Sequence, residues 1–159
     1  MIFVRLEDTI LETERGLFMI STRGRYAIRI LLDLAEHATG DFIPMKEVSK
    51  RQDISLKYIE KIMPALKAGG LVDSTHGIGG GYRLRKAPED ITMWEILSLA
   101  EGNLAPVACL QSGAPVCARA DGCRTLPVWE AYYDMTKRYF SGISLADLAG
   151  MKAENNYVI

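Results

Sequence analysis

The stretch from Pro44 to Leu84 constrains this chain more than any other part of it. Pro44 stands where a helix begins, a position at which its missing N–H costs nothing. That helix is expected to run from Met45 to Gln52, with a tight break at Asp53-Ile54. Ser55 then has the hydroxyl of an N-cap, free to accept from the N–H of Lys57 or Tyr58. A second helix runs to Ala68 and stops at Gly69-Gly70, which permit a left-handed C-cap. Leu71-Val72 opens a strand, His76-Gly77-Ile78-Gly79-Gly80-Gly81 turns it, and Tyr82-Arg83-Leu84-Arg85 returns. Two helices, a tight turn and a hairpin in this order make a helix-turn-helix followed by a wing.

The second helix has two faces. Ile59, Ile62, Met63 and Leu66 recur at three and four residues and form a stripe to be buried. Lys57, Glu60, Lys61 and Pro64 lie opposite, with Ser55 at the leading end. Pro64 removes the N–H that would bond the Glu60 carbonyl, so a bend is expected between them. A helix with one apolar side and a short polar row near its N-terminus suits the DNA major groove, about 12 Å wide. The plainer alternative is a small α-rich domain whose helices never meet DNA. The hairpin argues against it. Four glycines in the five positions 77–81 exceed what a turn needs. They leave Gly77, Gly79, Gly80 and Gly81 able to bring backbone close to phosphate. His76 and Tyr82 flank them, and Arg83, Arg85 and Lys86 follow as a basic ribbon edge.

Charge distribution agrees. The net charge of −1 over 159 residues is no nucleic-acid signature by itself. Yet residues 21–90 hold twelve Lys/Arg against nine Asp/Glu, while 91–159 hold five against seven and 1–20 two against four. The positive charge sits with the candidate reader, and its modest size favours a dimer that pools two readers. Arg23, Arg25 and Lys46 join Arg83 and Arg85 as candidate phosphate contacts that set register; Lys57, Glu60 and Lys61, led by Ser55, are expected to meet base edges. Apolar content is 48 % and mean hydropathy is near zero. No run approaches the roughly eighteen apolar residues of a membrane span. Arg5, Glu7 and Asp8 interrupt any signal-peptide core, so a cytoplasmic location is expected.

Four segments are expected. Residues 1–18 are an extension ahead of Met19, and an upstream start, a cloning remnant and a true extension stay open. Residues 19–90 form the winged domain, opened by a core helix from Thr22 to His37 that carries Ala27, Ile28, Leu31, Leu32, Leu34 and Ala35. Residues 91–150 hold a helix opened by the capping box Thr92-Met93-Trp94-Glu95, an irregular stretch from Gly102 to Arg124, a long helix from about Thr125 to Phe140, and a short helix capped by Ser144. Residues 151–159 are a tail. Val128, Trp129, Tyr132, Tyr133, Met135, Tyr139 and Phe140 give the long helix too wide an apolar band for one small core. Val128, Tyr132, Met135 and Tyr139 are expected to be the seam of a homodimer; the alternative is a central core helix in a monomer.

All three cysteines fall in the irregular stretch. Cys109, Cys117 and Cys123 are separated by seven and five residues, among Gly113, Pro115 and Gly122. Clustered cysteines in an intracellular chain are more often metal or redox groups than structural disulfides. Arg119 and Arg124 favour thiolate, and soft thiolates suit iron–sulfur clusters or zinc. The two histidines, His37 and His76, lie elsewhere, so a fourth ligand is not evident. Three free thiols in a loop remain the simple alternative. No catalytic histidine, paired acids or cofactor-cradling loop accompanies them, which argues against an enzyme.

The segments "STRGRYAIRILLDLA", "ISLKYIEKIMPALKAGGLV" and "GIGGGYRL", with "VW" beyond a three-cysteine loop, resemble the Rrf family of bacterial winged helix-turn-helix transcriptional regulators. The nearest branch is the one with the iron–sulfur and nitric-oxide sensors, IscR-like and NsrR-like. The resemblance covers about residues 19–150. It implies a fold that is mainly α with a small β-hairpin wing, and a long C-terminal helix crossing its partner's in a homodimer. It implies a transcription factor, expected to be a repressor, that reads a near-palindromic operator in double-stranded DNA. It maps the reader region onto Ser55, Lys57, Tyr58, Glu60 and Lys61, the wing onto His76 to Tyr82, and a 2Fe–2S cluster onto Cys109, Cys117 and Cys123. The chain departs from the IscR-like pattern in two places and from the NsrR-like one in a third. The first cysteine gap is longer than usual in IscR-like members, and Leu126 stands where they place a histidine ligand. Arg25 stands where NsrR-like members place a partner-chain carboxylate. Glu101, Gln111, Asp121 or a partner-chain residue are left as fourth ligands. Two other readings stay open: a cluster-free regulator sensing a metabolite, thiol state or protein, and a small iron–sulfur or thiol redox protein.

Overall fold

The computed structural model describes residues 20–151. The extension 1–18 lies outside them, as does the tail beyond Met151. Helix α1 spans Thr22–Glu36. The Ser21 hydroxyl caps it, accepting from the N–H of Arg23 at 3.1 Å and of Gly24 at 3.3 Å. Its fully buried stripe is Ala27, Ile30, Leu31 and Leu34. Ile28, Leu32 and Ala35, expected in that stripe, are only partly buried, and Ile30 takes the centre. The apolar band of α1 is wider than the surface its neighbours cover, so periodicity fixed the face only to within a residue.

Helix α2 (Met45–Gln52) and helix α3 (Leu56–Ala68) form the helix-turn-helix. Between them Asp53 takes a left-handed conformation, φ 52° and ψ 47°. The Ser49 hydroxyl donates to the Ile54 carbonyl at 2.7 Å, and buried Ile54 plugs the corner. Ser55 accepts from the Tyr58 N–H at 3.3 Å, the second of its two expected partners. Helix α3 runs unbroken through Pro64, which is exposed. Ile59, Ile62, Met63 and Leu66 are fully buried, as their spacing predicts. The helix stops with Gly70 at φ +74° and the Leu71 N–H donating to the Leu66 carbonyl at 3.0 Å.

Strands β1 (Val72–Thr75) and β2 (Gly81–Leu84) pair antiparallel, in register from Val72 with Leu84 to Thr75 with Gly81. Tyr82 also bridges Ile43, each N–H donating to the other's carbonyl at 2.8 and 2.9 Å. The wing is therefore stitched to the segment leading into α2. Gly81 makes that approach possible, because a Cβ there would lie 2.2 Å from the Ile43 carbonyl oxygen.

Helix α4 (Met93–Glu101) packs across α1, where Gly24 leaves room for Glu101 and Leu97. The capping box expected at its start is half made. Thr92 accepts from the Glu95 N–H at 3.2 Å, but the Glu95 carboxylate turns away to Lys86 at 2.5 Å, because an ion pair outcompetes a reach back to a backbone N–H. The reciprocal box sits instead at Ser144 and Asp147, opening helix α6 (Leu145–Gly150). Helix α5 (Leu126–Ser141) lies between α4 and α6 in sequence. Leu145, Ile91 and Ile96 share one core with α1, α2 and α3. Residue 90 is thus no packing boundary.

One charged group is buried in that core among the described residues. Asp33 of α1 has no exposed surface. Arg51 grips its carboxylate through Nε at 3.0 and 3.1 Å and through Nη2 at 2.6 Å, and Gln52 Nε2 adds a bond at 2.9 Å. Arg29, one turn earlier on α1, donates to the Gln52 side chain at 3.2 Å and to its carbonyl. Burial alone would raise the Asp33 pKa, but the hydrogen bonds from Arg51 and Gln52 and the nearby positive charges outweigh it and hold the carboxyl below its ordinary value. The folded-state pKa is depressed. The clamp's contribution is therefore full above the ordinary carboxylate range and is lost as pH falls toward the folded value. Arg51→Ala leaves the carboxylate buried without its main partner. Urea unfolding at neutral pH should show a loss of about 3 kcal/mol, and Asp33→Asn should flatten the acid limb of stability against pH.

Candidate nucleic-acid interface and cysteine loop

The polar row of α3 faces outward. Lys57, Glu60 and Lys61 are exposed, with Ser55 at their leading end. Tyr58 behaves differently from its neighbours. Its ring is half-buried, edge-on to Tyr26 at 5.4 Å between centroids. That contact carries the start of α1 to the start of α3, so exposed Arg23 and Arg25 border the reader helix rather than standing apart from it. Arg25 donates to Thr22 Oγ1 at 3.1 Å, and Arg29 lies over the Tyr26 ring at 5.4 Å. Lys46 is exposed on the first turn of α2.

The wing residues divide by task. His76, Gly77 and Gly79 are exposed at the tip, Gly77 and Gly79 with φ of +93° and +75°. The Gly80 N–H closes the turn on the Gly77 carbonyl at 3.0 Å. Gly81 and Tyr82, also expected to approach phosphate, face the Ile43 backbone, and the need for close packing accounts for that glycine. Arg83 is exposed but braced: its guanidinium lies 4.5 Å from the Phe42 ring and donates to the Gly40 carbonyl at 3.3 Å. It is held in place on the hairpin's edge.

The cysteine loop carries two short 3₁₀ turns, Ala108–Leu110 and Ala120–Gly122. Cys109 and Cys117 are exposed and Cys123 is half-exposed, all as free thiols. Among the described residues, no three His, Cys, Asp or Glu side chains converge on a point that could hold a metal. The donor types fit a cluster, with three uncommitted thiols on one Gly/Pro-rich loop; their placement is not gathered. Of the candidate fourth ligands, Gln111 and Asp121 are exposed, while Glu101 accepts from the Ser21 N–H at 2.9 Å at the start of α1. Leu126 is the first residue of α5. Cys123 Sγ lies 3.5 Å from Thr125 Oγ1. Hydrogen bonds from the Thr125 hydroxyl and from the Thr125 and Leu126 backbone favour its thiolate and lower its pKa.

Helix α5 buries none of its residues in this chain. Val128, Trp129, Tyr132, Met135 and Tyr139 are exposed large apolar side chains on it. On its other side, Tyr133 meets Trp94 of α4 at 5.7 Å, and Lys137 lies 6.0 Å from that Trp94 ring. A row of apolar groups this large is unusual on a surface that stays in water. No helix among the described residues is long and apolar enough to cross a membrane.

A capped, outward-facing helix, a left-handed turn before it and a wing bridged back to the loop before α2 define a winged helix-turn-helix protein of the transcription-regulator class. The Rrf2 family profile, described as an iron-dependent transcriptional regulator, matches residues 20–151, and the chain belongs to that family. It is 36 % identical over 129 residues to Protein rrf2 of Nitratidesulfovibrio vulgaris, covering 81 % of this chain and 85 % of that one. It is 34 % identical over 129 residues to the HTH-type transcriptional regulator IscR of Aliivibrio salmonicida, covering 81 % of this chain and 76 % of that one. Its fold is similar to that of CymR, the global cysteine regulator of B. subtilis, with a TM-score of 0.68 and 29 % identity over 84 % of this chain and 98 % of that one. The chain is thus a transcriptional regulator of the IscR and CymR type and not an enzyme.

Sequence reasoning missed the Asp33–Arg51–Gln52 clamp. Asp33 lies three residues from Ile30, inside the apolar stripe of α1, and that misplaced charge was the available signal. Thr125→Val should slow iodoacetamide alkylation of Cys123 about threefold at neutral pH, read by mass spectrometry, with Cys109 and Cys117 unchanged.

Proposed function

We propose that this protein is a homodimeric repressor that reads a near-palindromic operator, with residues 19–90 as the reader and residues 91–150 as the sensing and dimerising part. The observation that carries the reading is the exposed Lys57-Glu60-Lys61 row on α3, framed by the basic start of α1 and the wing. Lys57, Glu60 and Lys61 reach base edges in the major groove, with Ser55 at the groove rim. Arg23, Arg25, Lys46 and Arg83 contact phosphates, and the wing tip at His76, Gly77, Gly79 and Gly80 lies along the backbone. Tyr58, Gly81 and Tyr82 hold these groups in position. Two readers about 34–36 Å apart meet successive turns of the duplex. Such a protein works in the cytoplasm, where its DNA is.

The dimer forms through Val128, Tyr132, Met135 and Tyr139, which lie on one side of α5 at spacings of four and three residues. Cys109, Cys117 and Cys123 would hold a 2Fe–2S cluster, with a fourth ligand from the partner chain or the loop. When bound, such a cluster supplies an iron centre sensitive to oxidants. The chain's own part is mechanical. Thr125, the N-cap of α5, is hydrogen-bonded to Cys123, so a change at that thiol reaches the start of the dimer helix directly. A shift of α5 alters the spacing of the two readers and their fit to the operator. A second reading, a cluster-free regulator responding to thiol state, is favoured by the dispersed placement of the three thiols.

Binding to its own promoter in gel shifts, at several salt concentrations, tests the reader. Lys57→Glu with Lys61→Glu should lower operator affinity at least about a hundredfold without changing the melting temperature, and equal affinity for random duplex would remove the reading. Met135→Glu should convert dimer to monomer in sedimentation and abolish operator binding with it. Iron analysis and absorbance of anaerobically purified protein separate the two sensors: bound iron lost in Cys117→Ser supports the cluster, and iron-free protein supports the thiol reading.

A further inference from the structure

Ile78 has no place in the roles assigned so far. It sits at the extreme tip of the wing with a relative exposure of 110 %, more open than any other large apolar side chain among the described residues. Single exposed apolar residues are common and by themselves mean little. The setting of this one is specific. Gly77 and Gly79 on either side hold φ of +93° and +75°, and the Gly80 N–H to Gly77 carbonyl bond of 3.0 Å closes the turn. The tip is a defined turn that presents one side chain outward. Its neighbours Gly77, Gly79 and Gly80 add no side-chain bulk, so the tip is a slim blade with a single apolar end.

The blade is also fixed relative to the reader. Strand β1 begins three residues after Gly69, the C-cap of α3. Strand β2 is bonded to Ile43 and braced by Arg83 on Phe42. Lys86, at the wing's base, is paired with Glu95 of α4 at 2.5 Å. A four-residue strand carries the tip roughly 13 Å from its base. No Asp or Glu lies between Asp73 and Glu89, and Arg83, Arg85 and Lys86 fall within that span. The distal part of the hairpin, beyond Asp73 of β1, therefore meets a polyanion with no carboxylate in the way. Its side-chain-poor tip suits a minor groove about 6 Å wide, where bulkier hairpins cannot enter.

We propose that Ile78 is an apolar wedge that enters the minor groove beside the major-groove half-site and opens a base step there. The proposal rests on the DNA-reading function above and adds a determinant to it. Wedges of this kind partly unstack one step and bend the duplex by roughly 20–90°. Because pyrimidine–purine steps such as TA open more easily than A-tracts, the wedge makes affinity depend on a base step that no polar side chain reads. Ile78 is thus a specificity residue acting through DNA deformability, with Gly77 and Gly79 as its mount.

The test uses the full-length dimer and a duplex selected by the wild-type protein from a random library. Donor and acceptor dyes at the duplex ends report bending, and 2-aminopurine in the flanking minor-groove step reports unstacking. Wild type should bend the duplex and brighten the 2-aminopurine. Ile78→Ala should do neither, should bind about tenfold more weakly, and should no longer distinguish a flanking TA step from an A-tract. Ile78→Met should keep all four signals, which a merely structural role at this exposed position would not predict. Equal bending and equal step preference in Ile78→Ala would overturn the wedge while leaving the reader intact. Failure of wild type to select any duplex would overturn the DNA-reading function and the wedge with it, whereas a selected duplex that Ile78→Ala binds, bends and discriminates as wild type does would overturn the wedge alone.

Discussion

The Asp33 carboxylate and the Arg51 guanidinium hold the helix-turn-helix in its place. A charge with no exposed surface is tolerated only when its lone pairs are filled, and here Arg51 and Gln52 fill them. Those two residues end α2, immediately before the left-handed Asp53 that turns the chain into α3. Arg29 takes the Gln52 carbonyl, one of the groups that the end of a helix leaves unpaired. The corner before the reader is thus fastened to α1 by directional bonds, which fix angle and register. Apolar packing through Ile54 and Ile59 supplies the adhesion but little orientation. Among the described residues no buried side-chain polar atom lacks a partner.

The same economy of contacts ties the wing to the helix-turn-helix and both to α5. Tyr82 pairs with Ile43, Arg83 leans on Phe42, and Lys86 pairs with Glu95. Trp94, the neighbour of Glu95, meets Tyr133 of α5 on its other side. Helix α4 therefore touches the wing's base with Glu95 and α5 with Trp94. It also carries Glu101, which receives the Ser21 N–H at the start of α1. Helix α4 thus joins α5 to the wing and to the start of α1 through short, packed contacts.

Much of this was legible in the residues. Pro44, Ser55, Gly70 and the spacing of Ile59, Ile62, Met63 and Leu66 specify the two helices, because caps and periodicity are local signals. The exposure of Val128, Tyr132, Met135 and Tyr139 follows from an apolar band wider than one core can use. The misplaced details are all long-range. Thr92 three residues before it marks Glu95 as a capping partner, whereas Lys86 wins it through a pairing that sequence distance hides. Gly81 belongs to a glycine run that suggests close approach to phosphate, whereas the Ile43 backbone lies against it. Tyr58 follows exposed Lys57 in the sequence, whereas Tyr26 lies edge-on to its half-buried ring.

By itself the sequence determined the class of this protein: two capped helices, a glycine-tipped ribbon, a cysteine loop and an apolar helix in an order that belongs to the Rrf2 family. Those features are local, since a cap, a turn or a stripe is set by residues within one or two turns of each other. The tertiary structure alone decided which polar groups are spent on holding the fold and which are left for a partner. Asp33, Gly81 and the Tyr58 ring are engaged from within the chain, while Lys57, Lys61 and Ile78 are exposed. That division depends on what lies across the chain at a few ångströms, and a hydrogen bond or a steric clash is sensitive to distance in a way that spacing along the sequence cannot encode.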